Sequence, residues 1–259
     1  MMRITDTVKH LIIINVLMFI GTIFIGNGVF YEWFSMHFPK NDSFKLWQIF
    51  TYMFMHGGGD LARLSITHLL FNMFGLWMFG SSVEQVLGSK KFLFIYISAG
   101  LGAVALQVVY GYFKFYSGLS LLEGAGFNQT EIYETLKSGF NTYDRRWASI
   151  LTQEQLQGFV GEFNGIMVGA SGCVMGIMAA FGMMNPNAEL MMIFLPIPIK
   201  AKYFIPGIIL LDLISGITGQ SIFGYGNIAH FAHVGGAITG AIIMWYWKKN
   251  QFNQNRWDR

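Results

Sequence analysis

The sequence is short of charge and of cysteine, and each shortage excludes something. Asp, Glu, Lys and Arg make up 12% of its 259 residues, whereas hydrophobic residues make up 53% and the mean hydropathy is +0.44. A soluble globular chain carries about 25% charged residues, so an ordinary water-facing surface is excluded. The one cysteine, Cys173, excludes an internal disulfide framework and reads as a small core residue. No His-Glu-x-x-His string occurs, which removes a common signature of metal-dependent proteases and leaves His230-x-x-His233 as a weak ligand spacing; no cofactor or metal is expected. The net charge of +3 provides no basic surface for nucleic acid. There is no internal repeat, and no small-residue cleavage site follows the first apolar segment, so a cleavable signal is not expected.

What the chain does have is long uncharged runs. Residues 10–31, 64–83, 92–113 and 163–188 contain no Asp, Glu, Lys or Arg, and each can cross a bilayer as a helix of roughly 20 residues. Between Lys202 and Lys248 the only residue of ionised type is Asp212, and the Gly-rich string "GQSIFGYGN" at 219–227 divides that stretch in two. Six spans are therefore expected, at about 11–30, 66–87, 92–113, 166–185, 203–219 and 228–247. The expected fold class is an all-α polytopic membrane protein, with 1–259 as a single membrane domain in the lipid bilayer.

With six spans both termini share a side, and that side holds ten basic residues against four acidic ones, while the other holds seven against nine. Basic residues concentrate on the cytoplasmic side, so both termini are expected there, in a bacterial inner membrane. The excursions at about 31–65 and 114–164 then lie outside. The first is aromatic and Gly-rich, as befits a segment at the membrane interface. The second carries two helix-start patterns, Asn128-x-x-Glu131 and Thr152-x-x-Gln155, which predict short surface helices. If this excursion gates or recognises whatever the protein acts on, deletion of 124–157 is expected to alter that action without lowering stability.

Polar side chains are costly at membrane depth, so those inside spans are functional candidates. They are Asn15, His68, Asn72, Ser171, Asp212, His230 and His233. His68 and Asn72 are four apart and share a helix face, and both can donate hydrogen bonds. Ser171 sits in "GASGCVMG" (169–176), where Gly172 and Gly176 permit close approach by another helix. Gly236 and Gly240 form a matching groove on the last span. If those faces meet, His233, one turn before Gly236, comes within reach of Ser171, and serine beside imidazole is the minimum unit of nucleophilic catalysis. The first N–H groups of the Ser171 helix, with His68 and Asn72, offer donors to a developing oxyanion.

Four segments, "THLLFNMFGLWMFGSSVEQVLGSKKF" (67–92), "GASGCVMGI" (169–177), "FLPIPIKAKY" (194–203) and "AHVGGAITG" (232–240), resemble the rhomboid family of intramembrane serine proteases, in family order and over nearly all six spans. The resemblance implies Ser171 as nucleophile and His233 as general base without a third acid. It implies an oxyanion site of His68, Asn72 and the backbone around Ser171 and Gly172, with Gly169, Gly176, Gly236 and Gly240 in the helix packing. It implies a six-helix bundle whose water-filled cavity opens away from the cytoplasm. The implied substrates are transmembrane proteins, cut at small residues near helix-weakening sequences.

The chain departs from the family pattern in places. Trp47-Gln48 stands where the family commonly has Trp-Arg, and Met175 stands where an aromatic usually packs on the catalytic histidine. The string 57–66 and the excursion 114–164 exceed the minimal form. His230 competes with His233 as base, but only His233 has the family's glycine spacing. His56 is expected to be structural, and His10 and His37 interfacial. An aspartyl intramembrane protease needs two membrane carboxylates, and Asp212 has no such partner because Asp60 of "GGGD" falls in a polar loop. A transporter lacks support from paired broken helices. A rhomboid-like protein that binds transmembrane clients without cutting them is the alternative of another class, and retention of Ser171, His233, His68 and Asn72 argues against it. The sequence alone names no partner for Asp212.

Overall fold

The computed structural model describes residues 3–25, 28–57, 64–192, 195–219 and 229–254. The chain is mostly helical. Helix α1 (Asp6–Phe24) is followed by short α2 (Val29–Phe34), strand β1 (Met36–His37) and one turn, α3 (Gln48–Thr51). Helix α4 (Leu64–Gly75) continues through a wide π turn (Leu76–Gly80) into α5 (Ser81–Leu87), and α6 (Ser89–Gly124) returns. Then come α7 (Gln129–Lys137), a 3₁₀ turn (Arg145–Ser149), α8 (Gln153–Asn164), strand β2 (Ile166–Met167) and α9 (Ser171–Met184). A hairpin of β3 (Glu189–Met192) and β4 (Leu195–Lys200) leads to α10 (Ala201–Thr218), and α11 (His230–Gln254) ends the described chain.

Among the described residues four helices are long and apolar enough to cross a membrane: Asp6–Phe24, Ile66–Leu87, Ser89–Gly124 and Ala201–Thr218. Their outward faces are apolar, as at Leu17, Phe24, Leu210 and Ile217, each more than half exposed. Water would penalise such a surface; lipid does not. Helix α9, with 14 residues, is shorter. It is also the buried centre of the bundle, with every residue from Gly172 to Phe181 buried.

Small residues make that centre possible. A Cβ on Gly236 would overlap the carbonyl of Gly172, and one on Gly240 the carbonyl of Gly176, so α9 and α11 lie backbone to backbone. On its other side α9 meets α6, where Gly172 faces Ala103 and Gly176 faces Ala99. Helix α6 meets α11 through Gly102, packed under Thr239 and the Gly235 carbonyl. Three helices thus pack at distances that only van der Waals contact between small residues allows.

At the bundle end that carries the α1 N-terminus, Glu84 joins three helices. Its carboxylate accepts from the Thr5 hydroxyl, from the backbone N–H groups of Thr7 (3.2 Å) and Val8 (3.1 Å), and from the Ser89 hydroxyl (2.6 Å). An anion there satisfies orphan donors at the start of α1 and complements the helix dipole.

The second excursion holds more than the short surface helices expected of it. Helix α6 runs on to Gly124, about 54 Å in all against roughly 30 Å of hydrocarbon. Its last turns, with α7 and α8, enclose a second core of Phe115, Leu119, Leu122, Trp147, Phe159 and Phe163. The expected caps exist: Asn128 accepts from the Thr130 N–H, and Thr152 and Gln155 form a reciprocal capping box. Deleting 124–157 would remove Ile132, Leu136, Trp147, Leu151 and Leu156 from that core. The expectation that this deletion spares stability therefore fails, because it would uncover Phe115, Phe159 and Phe163.

Span boundaries shift for identifiable reasons. The first helix ends at Phe24 rather than near residue 30, and Gly28, at φ 74, begins a separate helix. The string "GGGDLARLSI" lies outside the described residues at 58–63, Asp60 included, as does 220–228 of the Gly-rich connector.

Candidate active site

The segment before Ser171 is fixed by three neighbours. Strand β2 pairs antiparallel with β1, Met36 opposite Met167 and His37 opposite Ile166, which ties the first excursion to the approach of α9. The Gly169 N–H then donates to the Tyr52 carbonyl at 3.0 Å, and the Tyr52 hydroxyl donates to the Gly100 carbonyl at 2.6 Å. Gly169 itself has φ +120, a conformation only glycine adopts readily. A Cβ there would lie 2.9 Å from His68 Cε1 and Nε2 and 3.7 Å from Ser171 Oγ. The imidazole of His68 therefore rests against the Gly169 backbone, beside the serine hydroxyl. Gly169→Ala combines backbone strain of about 1–3 kcal/mol with displacement of His68. Since misplacing reacting groups by about 1 Å costs on the order of 100-fold, activity is expected to fall at least that far, measured beside an unchanged helical circular dichroism spectrum.

Ser171 is the first residue of α9, so the N–H groups of its first turn have no partner within the helix. On α4, Asn72 is buried and its Nδ2 donates to the His68 carbonyl at 3.0 Å, which places the two residues on one face. His233 Nε2 is 2.8 Å from Ser171 Oγ. Cys173 is free and buried.

The structure adds what sequence reasoning did not supply, a partner for Asp212. Its Oδ2 is 3.1 Å from His233 Nδ1, and its Oδ1 is 2.7 Å from His230 Nδ1. All three side chains are at least four-fifths buried. Helices α10 and α11 are brought to this register by Phe231, whose ring covers Gly216, where a Cβ would sit 2.8 Å from Phe231 Cε2. Tyr110 of α6 lies against that ring at 3.9 Å and donates to the Gly216 carbonyl at 3.2 Å. Asp212 stands one turn before Gly216, and His230 and His233 flank Phe231. A signal for this existed: Asp212 is six residues from the end of α10 and His233 three from the start of α11, so adjacent antiparallel helices hold them at similar depth. Among the described residues no group of three His, Cys, Asp or Glu is arranged to hold a metal ion.

The two departures in the first loop and at Met175 have local consequences. Gln48 is fully buried, and its Oε1 accepts from the His37 (3.3 Å) and Lys45 (3.1 Å) N–H groups. Its Nε2 donates to the Glu32 and Ser43 carbonyls, both at 3.0 Å. A neutral amide thus anchors the loop through four backbone groups, and the neighbouring Trp47 Nε1 donates to the Trp33 carbonyl. Because each orphaned buried group costs roughly 1–3 kcal/mol, Gln48→Ala is expected to cost about 3 kcal/mol or more, read from thermal unfolding in detergent. Met175 is buried in the main core.

His56 lies under the site, fully buried, its ring 5.2 Å from that of His68. Its backbone carbonyl accepts from the Tyr31 hydroxyl, while neither ring nitrogen has a partner among the described residues. Burial first, and His68 second, push its pKa down to about 3 from 6.5. Burial likewise lowers His37, whereas His10 is exposed on α1. A histidine with a depressed folded pKa contributes stability that is complete above the unfolded value and is lost as pH falls below it. The parent is therefore expected to lose about 2 kcal/mol more than His56→Phe between pH ~7 and pH ~4.5, measured by denaturant titration at each pH.

Helices packed through glycines, with a serine at one helix start facing a histidine at another, define a class of apolar helical bundle. Comparison gives the class its family: the rhomboid domain model matches residues 43–125 and 146–250, and the chain belongs to the rhomboid family of membrane proteins. It is 28% identical over 185 residues to the mouse presenilin-associated rhomboid-like protein, mitochondrial, covering 71% of this chain and 35% of the relative. The human protein of that name matches to the same extent. Rhomboid protease GlpG of Salmonella newport is 35% identical over 106 residues, covering 40% of this chain and 35% of the relative. The chain thus spans about a third of the length of these curated relatives.

Proposed function

We propose that this chain is an intramembrane serine protease that hydrolyses peptide bonds in or near transmembrane segments. The observation that carries the reading is the 2.8 Å separation of His233 Nε2 from Ser171 Oγ at the start of α9. Ser171 Oγ attacks the scissile carbonyl carbon while His233 Nε2 takes the hydroxyl proton. The resulting oxyanion accepts from the first N–H groups of α9 and from donors at His68 and Asn72. Breakage of the C–N bond returns the proton from His233 to the leaving amine. Water, deprotonated by the same imidazole, then hydrolyses the acyl ester and regenerates the serine.

In this reading α9 and α11 complete a six-helix bundle with the four apolar helices named above. The charge asymmetry of the sequence supports a cytoplasmic location for both termini. A rhomboid relative named as a protease supports cleavage as the activity. The test is reconstitution into proteoliposomes with a single-span substrate carrying a small residue beside a helix-weakening glycine or proline. The expected result is cleavage by the parent and none by His233→Ala. An intact substrate that co-purifies with the folded parent would instead establish client binding without proteolysis.

A further inference from the structure

We propose that Asp212 is the positioning residue of the catalytic histidine, held in turn by His230, so that the working unit is Asp212–His233–Ser171 rather than a serine–histidine pair. The proposal rests on the hydrolase reading of Ser171 and His233.

The argument follows from counting protons on His233. A neutral imidazole carries one N–H, and Nε2 must be unprotonated to accept from Ser171 Oγ, so the proton belongs on Nδ1. The atom facing Nδ1 is Asp212 Oδ2 at 3.1 Å, an acceptor only, which selects this tautomer and holds the ring plane toward the serine. When Nε2 takes the serine proton the ring becomes cationic, and the adjacent carboxylate stabilises that cation without itself being protonated.

The carboxylate needs its own restraint. A buried anion with one neutral donor is poorly compensated. His230 Nδ1–H supplies a second donor, to Oδ1 at 2.7 Å, so each carboxylate oxygen has one imidazole and the group cannot rotate away. His230 therefore has a role distinct from that of base: it aims Asp212. This arrangement replaces the orienting contact that the family pattern assigns to an aromatic at the position of Met175. The groups that face His233 are Asp212 on α10, His230 on its own helix, Ser171 on α9, and His68 on α4 across the serine.

The experiment uses the full chain in detergent and a fluorescent fluorophosphonate. Asp212→Asn is nearly isosteric but can present its amide N–H to Nδ1, which favours the wrong tautomer. It is expected to lower the maximal labelling rate roughly 100-fold or more, with little change in the concentration giving half that rate, and to shift the acid limb of the rate profile to lower pH. His230→Gln keeps the anion and is expected to lose about three- to tenfold. Independently of activity, a proton spectrum of the Ser171→Ala protein should contain a low-field Nδ1–H resonance that disappears in Ser171→Ala/Asp212→Asn. Labelling of Asp212→Asn within twofold of the parent with an unshifted profile, or absence of the low-field resonance, overturns the proposal and leaves the serine–histidine reading standing. If Asp212→Asn does not fold, the resonance in Ser171→Ala decides. A parent that never labels at Ser171 overturns both readings together.

Discussion

Ser171→Ala is expected to remove cleavage of a transmembrane substrate by at least roughly 1,000-fold while leaving the unfolding temperature within about 1 °C. Loss of the nucleophile leaves only binding and the oxyanion donors, and those alone sustain little turnover in a serine hydrolase. The fold is spared because the change deletes one oxygen at the first position of α9, where glycines, not the hydroxyl, set the helix contacts. His233→Ala should be equally inactive, but it also leaves Asp212 Oδ2 without its donor, so some loss of stability is expected there and not in Ser171→Ala. The unfolding midpoints of the two variants, measured side by side, separate the chemical role from the packing role.

Gly236→Val is the second large effect. The new Cβ would enter the Gly172 carbonyl, one residue from the nucleophile, and α9 cannot yield because it is packed on α6 through Ala99 and Ala103. Separating α9 from α11 moves Ser171 and His233 apart, and about 1 Å of misplacement costs on the order of 100-fold in rate. Overpacking adds roughly 1–3 kcal/mol of destabilisation. Gly207→Val on α10 is the control, since a Cβ there meets nothing within 4 Å. Midpoint temperature and substrate cleavage should both fall for Gly236→Val and neither for Gly207→Val; equal behaviour of the two would show that the glycine contact does not set the site.

The legible part of this molecule was the part governed by long-range regularity. Runs without charge marked the helices because a bilayer-length apolar segment has few alternative fates. Paired small residues at spacing four pointed to which helices approach, because only glycine tolerates the Gly236–Gly172 contact. The caps at Asn128 and Thr152 were readable because capping is local chemistry.

What stayed hidden depends on depth and on pairing between distant segments. Strands of two residues, such as Met36–His37 and Ile166–Met167, carry no periodicity, yet this pair aligns the approach to Ser171. The lobe core around Trp147 and Phe115 was obscured because α6 leaves the apolar run without a helix-stop residue and continues to Gly124. Gln48 read only as a departure from the family's Trp-Arg, whereas an amide, with both donor and acceptor atoms, can satisfy N–H and carbonyl groups together. Asp212 was conspicuous in the sequence but without a partner until α10 and α11 were in register, which Phe231 over Gly216 provides.

The claim on which the rest depends is that Ser171 is an activated nucleophile. Its most direct test is fluorophosphonate treatment of the folded parent in detergent, followed by proteolytic digestion and mass mapping of the adduct. The account predicts one adduct, on the peptide carrying Ser171, with none formed by His233→Ala. A folded parent that remains unmodified, or an adduct on any other serine, would contradict it.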